Sequence, residues 1–331
     1  MQYPLARDIL RSFSGRGIPA IPIQRYMDVF GRSHQRFSFQ KNSPSVILAV
    51  KHGNFVYPGA PVCQDFGNAH FYYTSFALNC PFDCEYCYLQ GMYSCAHIVL
   101  FVNLEDYFAE IRRLLSEHPV YLCISYDTDL LALEKMTGFL SGYTKFAAKQ
   151  PQLTTELRTK SASYLSADSA QTANLLSPEV RSRIIHAYTL SPDLVIAKFE
   201  HHTPALSARL KAIRSAALEG YPVRLCFDPL IYIPDFEQVY SDFLDTVRTG
   251  LDGVPIKDAS VGVFRIADSY LKQMRKSRPD SALLQFPFEN TAHVCHYGPR
   301  SHEMIQFVLR KLDGWLSPNQ IFTMNLQEVS P

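Results

Sequence analysis

Asn79-Cys80-Pro81-Phe82-Asp83-Cys84-Glu85-Tyr86-Cys87-Tyr88-Leu89-Gln90 is the stretch on which the reading of this chain turns. Its cysteines follow the pattern Cys-x3-Cys-x-aromatic-Cys. Three thiolates can ligate three irons of a 4Fe–4S cluster and leave the fourth iron without a protein ligand. An open iron can bind and reduce a small molecule, whereas a fully ligated cluster mainly carries electrons. The rival is a structural zinc site completed by Cys95 or His97. Zinc sites usually pair two short Cys/His hooks across a longer loop, and here all three cysteines share one hook.

Working outward, 331 residues with 47% hydrophobic content suit a globular enzyme of one or two domains with a large core. The net charge of +1 gives no global attraction to nucleic acid or acidic membrane, so any DNA binding needs a local patch. Met1-Gln2-Tyr3-Pro4-Leu5-Ala6-Arg7-Asp8 lacks the apolar core of a secretory signal, and Val46-Ile47-Leu48-Ala49-Val50 is too short to span a bilayer. These features predict a cytoplasmic protein with no membrane partner. The eight cysteines then read as reduced thiols, with Cys226 a buried strand residue.

No internal repeat is visible. Short β-rich runs occur at 71–76, 97–102, 120–124, 154–157, 184–189, 223–227 and 260–264. Amphipathic helical patterns fall at 104–116, 128–147, 204–219, 235–249 and 301–313. This alternation predicts a parallel sheet with helical crossovers, closing into an open, partial (β/α) barrel of about six units. The cysteine motif follows the first run closely. That puts it on a loop at the carboxyl end of a strand, the face where barrel enzymes keep their sites.

The three-cysteine spacing, with Tyr86 as the aromatic, is similar to that of the radical S-adenosylmethionine (SAM) superfamily. Within it, Cys84-Glu85-Tyr86-Cys87-Tyr88-Leu89-Gln90 followed by Val102-Asn103-Leu104 resembles the spore photoproduct lyase family. Leu157-Arg158-Thr159-Lys160, Tyr188-Thr189-Leu190-Ser191-Pro192-Asp193, Glu200, Thr203-Pro204, Gly220-Tyr221-Pro222 and Asp228-Pro229-Leu230-Ile231-Tyr232-Ile233 continue the resemblance in order. It covers about residues 70–235 and thins beyond 240.

The resemblance implies an α/β fold, a partial (β/α)6-type radical SAM barrel with N- and C-terminal additions. The expected divisions are a cover region at 1–65, a barrel core at 66–270 and a region at 271–331 that closes the site and offers a DNA-facing element. It implies a 4Fe–4S cluster on Cys80, Cys84 and Cys87, with Lys160, Ser125 and Ser191 binding SAM. It also implies repair of a methylene-bridged thymine pair in DNA by a 5′-deoxyadenosyl radical, with an electron donor such as flavodoxin or ferredoxin. Tyr86 and Tyr88 take the positions of tyrosines that assist hydrogen return. Alternatives are a different substrate for the same chemistry, such as a modified nucleoside or a peptide, and a non-catalytic iron–sulfur or zinc protein.

The thiol that quenches the thymine radical has two alignments. Matching on the cysteine gives Cys123 with Ser125, the reading that keeps a thiol as donor. Matching without a gap on Asp129-Leu130-Leu131-Ala132-Leu133-Glu134 puts Tyr126 at the donor position. Three residues apart on a strand, the two would face opposite ways unless the chain turns between them. Asp127 and Asp129 read as helix-capping residues. Cys63 and Cys295 are equally well explained by packing. For DNA contact, the basic run Lys272, Arg275, Lys276 and Arg278 also has the look of an ordinary solvated helix end, and 293–300 forms a short aromatic and basic stretch.

Overall fold

The computed structural model describes residues 3–60, 63–166 and 176–323. Among these, seven parallel strands form the main sheet: β1 (Phe71–Tyr73), β2 (Val120–Cys123), β3 (Leu153–Thr159), β4 (Ile184–Thr189), β5 (Val223–Leu230), β6 (Asp258–Val263) and β7 (Ile321–Thr323). They lie side by side in chain order, and Tyr57–Pro58 pairs antiparallel along the free edge of β1. An N-terminal helix, Pro4–Ser14, precedes the sheet, and the longer helices after β1 are α1 (Leu104–Leu115), α2 (Leu130–Thr137), α3 (Phe139–Ala147), α4 (Asp193–Phe199), α5 (Leu206–Leu218), α6 (Phe236–Gly250), α7 (Asp268–Ser277) and α8 (Pro299–Leu312). Strands added in chain order through right-handed crossovers keep the helices on one face, so the sheet curls into a partial barrel.

The outer face of the sheet holds the main core. Leu122, Leu157, Tyr188 and Leu225 point outward and are fully buried against the helices. On α1, Tyr107, Phe108, Ile111 and Leu114 recur at helical spacing and meet them, each burial stabilising by about 1.5–3 kcal/mol.

The inner face carries polar residues. Register places Cys123 beside Glu156, and Arg224 beside Asp258. Arg224 donates to Glu156 (2.6 Å), the Tyr121 hydroxyl (2.6 Å) and both carboxylate oxygens of Asp258. Its guanidinium lies 3.2 Å from the Phe66 ring centre. Phe66, Tyr121 and Ile185 form an apolar plug below this network, with Phe71 and Phe322 packed against it. The barrel is therefore closed at the amino ends of its strands and open at their carboxyl ends.

Three expectations change. The run at 97–102 forms a strand, Ile98–Phe101, but it joins Val46–Ala49 and Ala77–Leu78 in a separate small sheet. Periodicity detects a strand but not its partners. The helix expected over 128–147 is two helices, because Gly138 adopts φ 60° and ends α2. The Glu134 carboxylate accepts from the Leu140 (2.7 Å) and Ser141 (3.3 Å) amides and so caps α3. The helical patterns at 104–116, 128–147, 204–219, 235–249 and 301–313 do not include Pro4–Ser14, α4 or α7; α4 is short, and α7 is rich in polar residues.

Candidate active site

The cysteine loop leaves the small sheet through Asn79, whose φ of 66° is a left-handed conformation that asparagine tolerates. The Asn79 amide donates to the carbonyls of Cys95 and His97, both at 2.8 Å, which sets the exit direction. Lys41 then donates to the Cys80 (2.6 Å) and Phe82 (2.7 Å) carbonyls. Asp83–Cys84 pairs antiparallel with Glu200–His201. Arg278 bonds Asp83 and reaches Gln90 (2.9 Å), while Glu85 meets His201 (2.8 Å) and Ser281 (2.5 Å). Segments from both ends of the chain thus fix a loop that has little regular structure of its own.

Cys80, Cys84 and Cys87 are free thiols. Burial raises all three pKa values, that of Cys80 to about 12, and Cys80 and Cys84 are each pushed further by Cys87. Lys41 or Lys160 opposes the rise at each. Among the described residues, no three Cys, His, Asp or Glu side chains gather closely enough for a single metal ion. Three thiols of one loop, Cys84 buried and Cys80 and Cys87 half-buried, beside two ammonium groups fit a multi-iron cluster, whose charge would hold them as thiolates.

Lys160 follows β3 and lies over the Tyr86 ring, 5.4 Å from its centre. Burial lowers its pKa, but Cys84 and Glu200 outweigh this and leave the ammonium favoured. The Tyr86 hydroxyl bonds Glu200, which also accepts from Ser191 (2.7 Å) and Arg209 (2.5 Å). Glu200 and Arg209 are both buried. Ser191 is thereby committed to Glu200. The Ser125 and Thr128 hydroxyls, also buried, have no partner, and both follow the carboxyl end of β2. Orphaned hydroxyls cost free energy unless a ligand completes them, so this rim suits the polar groups of SAM.

Asp129 is the N-cap of α2, accepting from the Ala132 amide (3.0 Å), and it also takes the Thr159 hydroxyl and the Lys160 amide. Asp127 caps nothing. It accepts from Ser75 and from the Tyr88 hydroxyl (3.0 Å), which also reaches the Tyr126 carbonyl (2.8 Å). Cys123 is 4% exposed and points its thiol at Glu156 Oε1 (3.9 Å) on the neighbouring strand. Tyr126 stacks on Tyr73 with ring centres 4.1 Å apart. Its hydroxyl lies 3.2 Å from Cys63 Sγ, a bond either group can donate.

Cys63 was not among the site residues read from sequence. It comes from the segment before β1 yet reaches Tyr126, and the charges of Arg158, Arg265 and Asp228 act on its thiol. No local motif marks it; the hint was the cysteine missing at the ungapped donor position. The basic run also differs from a phosphate grip. Arg275 donates to the Leu284 (2.7 Å) and Phe286 (3.0 Å) carbonyls and Arg278 holds Asp83, leaving Lys272 and Lys276 exposed. Residues 289–296 form a hairpin, Glu289–Thr291 paired with Val294–His296, whose tip residues Ala292 and His293 have positive φ.

A curled parallel sheet with a three-thiol loop at its open end defines the radical SAM class. The sequence matches the family described as spore photoproduct lyase over residues 1–283. The chain belongs to that family. It is 22% identical to the spore photoproduct lyase of Geobacillus sp. over 263 residues, covering 78% of this chain and 73% of the relative. With that of Clostridium acetobutylicum it shares 20% over 304 residues, covering 90% and 84%. A spore photoproduct lyase solved with dinucleoside spore photoproduct superposes with a TM-score of 0.80 at 18% identity, covering 97% of this chain and 95% of that one. One solved with bound AdoMet and the dinucleoside gives 0.75, covering 97% and 94%.

Proposed function

We propose that this chain is a radical SAM lyase that repairs spore photoproduct, a methylene-bridged thymine pair, in DNA. The carrying observation is the three-thiol loop with Lys160 beside Cys84, in a chain of this family. Cys80, Cys84 and Cys87 would hold the 4Fe–4S cluster, and Lys160 would pair with the SAM carboxylate as a compact cation. Bound together, these groups supply a 5′-deoxyadenosyl radical that removes one hydrogen atom from the lesion.

The protein's own residues orient and enclose. Glu200 anchors the Tyr86 hydroxyl, so the ring stays under the Lys160 ammonium. Ser125 and Thr128 offer hydroxyls to the sugar and amino groups of SAM. A bridged thymine pair must leave the base stack to be reached. The 289–296 hairpin, with Arg300 lying 4.2 Å from the Tyr232 ring centre beside it, is suited to holding the DNA opened. An electron donor such as flavodoxin or ferredoxin would supply the electron. No helix among the described residues is long and apolar enough to cross a membrane, in keeping with a cytoplasmic site of action.

The test is anaerobic reconstitution with iron and sulfide, then assay with SAM, dithionite and a dinucleotide carrying spore photoproduct. Intact thymines together with deoxyadenosine are expected. Deoxyadenosine without thymine would move the substrate elsewhere, and neither product would remove the reading.

A further inference from the structure

We propose that the arginine-rich, apolar face formed by residues 18–39 is the docking surface for an acidic one-electron carrier protein that reduces the cluster. This rests on the radical SAM lyase reading above. Residues 1–41 hold six arginines and Lys41 against Asp8 and Asp28, a net charge of +5 in a chain whose total is +1. Arg7, Arg11, Arg16, Arg25, Arg32 and Arg36 are all exposed. Of the eight large apolar side chains that stand exposed among the described residues, five lie in the same stretch: Ile18, Ile21 (79%), Ile23, Met27 and Phe39 (74%). A sixth, Met92, ends the short helix of the cluster loop, and beside it Tyr93 packs edge-on to Phe30 with ring centres 5.2 Å apart. Single exposed apolar residues are ordinary, but apolar and arginine side chains concentrated on one segment mark a protein-binding surface.

The face is held in shape before any partner arrives. Gln35 closes its loop by donating to the carbonyls of Val29 (3.2 Å), Phe30 (3.0 Å) and Arg32 (3.0 Å). Gln40 donates to Gln35 (2.9 Å) and accepts the Ala96 amide (3.2 Å), while Ser38 donates to the Ser277 carbonyl at the end of α7 (3.1 Å). Between these anchors opens a cavity of about 460 Å³ lined by Arg32, His34, Arg36, Phe39 and His97. A carboxylate entering it meets two guanidinium groups, which suit paired, charge-assisted bonds. A preformed surface spends little of its binding energy on ordering.

Composition selects the kind of partner. Duplex DNA also attracts arginine, but protein–DNA interfaces are polar and give exposed isoleucine, methionine and phenylalanine little to pack on. The exposed cations here are all arginine, enriched in protein–protein interfaces, and lysine, depleted there, does not occur before position 41. Position selects what the partner does. Phe39 is two residues from Lys41, which is buried and donates to the carbonyls of Cys80 (2.6 Å) and Phe82 (2.7 Å). A carrier seated on Phe39 is thus linked through one ammonium group to the backbone of a cluster ligand. The transfer is outer-sphere: the carrier is oxidised by one electron, the 4Fe–4S cluster is reduced by one, and no bond forms or breaks. Redox encounters use small interfaces, below about 1,200 Å², steered by opposite charge, and a patch of this kind suffices for one.

The probe is a flavodoxin of acidic surface. Titrated into the reconstituted enzyme in its oxidised form, it should bind saturably at low ionic strength and more weakly as salt is added. Arg32→Glu with Arg36→Glu should weaken that binding by about tenfold or more, and Phe39→Ser by several-fold. Hydrogen exchange should show amides of residues 27–40 protected by flavodoxin. Deoxyadenosine formation driven by reduced flavodoxin should fall about tenfold in the double variant, whereas dithionite, a small reductant that needs no docking face, should drive it within about twofold of wild type. Unchanged flavodoxin affinity in the double variant, protection confined to other segments, or equal loss with both reductants would overturn the proposal. So would a double variant that loses affinity for duplex DNA but keeps flavodoxin, which would make the face a DNA contact. Wild-type enzyme that restores no thymine with dithionite would sink the lyase reading instead, because binding, exchange and deoxyadenosine formation read the docking face without any thymine product.

Discussion

Replacing Glu200 by alanine tests whether the cluster loop depends on a buried charge. Glu200 is 1% exposed and Arg209 fully buried, and the carboxylate bonds Arg209, Tyr86 and Ser191 together. Removing one partner of a buried pair leaves the other charge desolvated and unpaired, which costs about 3–5 kcal/mol. A chain of 331 residues has an unfolding entropy of roughly 0.7 kcal/mol per kelvin at about 2.1 cal/mol/K per residue. The thermal midpoint of the cofactor-free protein should therefore fall by about 4–7 °C. Glu200→Gln keeps the shape and should fall by less. Burial pushes the Glu200 pKa up, but Arg209, Lys160, Tyr86 and Ser191 outweigh it and hold the group below the ordinary 4.5. A depressed carboxylate stabilises above its unfolded pKa and loses that contribution as pH falls through the folded value. The gap between wild type and Glu200→Ala should thus be constant above about pH 5 and close below 4.5. Differential scanning calorimetry at pH 7 and pH 4 reads both. A midpoint within 1 °C of wild type at pH 7 would refute the reasoning, since Arg209 would then have found solvent or another partner.

Lys160→Ala should weaken SAM binding about tenfold by isothermal titration, as expected for loss of one charge-assisted contact, and Lys160→Arg should not restore it fully. Gly91→Ala should destabilise by about 1–3 kcal/mol and reduce iron incorporation, because the new methyl would meet Tyr270 Cβ at 2.6 Å and its Cα at 2.9 Å where Leu89–Met92 rests on α7. Iron content per chain and the midpoint of urea unfolding check it. His186 is buried neutral, its pKa lowered by burial to about 4, and it accepts the Leu165 amide at 3.1 Å. Its depressed pKa makes the native state bind fewer protons, so stability is lost as pH falls below about 6.5. The loss is roughly 2 kcal/mol by pH 5. His186→Gln, which still offers an acceptor, should show a correspondingly shallower pH dependence.

Much of the fold was legible because its features are local. Tyr107, Phe108, Ile111 and Leu114 announce α1 by spacing alone, and the runs that became β2 to β6 carry continuous β-forming residues buried on both faces. The basic run at 272–278 misled because composition says nothing of partners: Arg275 and Arg278 spend their donors on carbonyls and on Asp83. The hydrophobic stretch at 97–102 is a strand in either sheet, and only its neighbours assign it to the smaller one.

The cluster ligands are a property of sequence, since Cys80, Cys84 and Cys87 lie within eight residues and a single loop must bring their thiols together. The cap at Asp129 is equally local, spanning three residues to Ala132. What lies at the far side of the site is not local. Cys63 and Tyr126 are 63 residues apart, Glu200 reaches Tyr86 across 114, and Arg278 reaches Asp83 across 195. Such pairs form only because the curling sheet brings its strand ends around one opening and the terminal segments fold back over it. Side-chain direction at a strand end depends on where the chain turns. Cys123 therefore points to Glu156 and Tyr126 to Cys63, a choice that residue type and spacing left open and packing made.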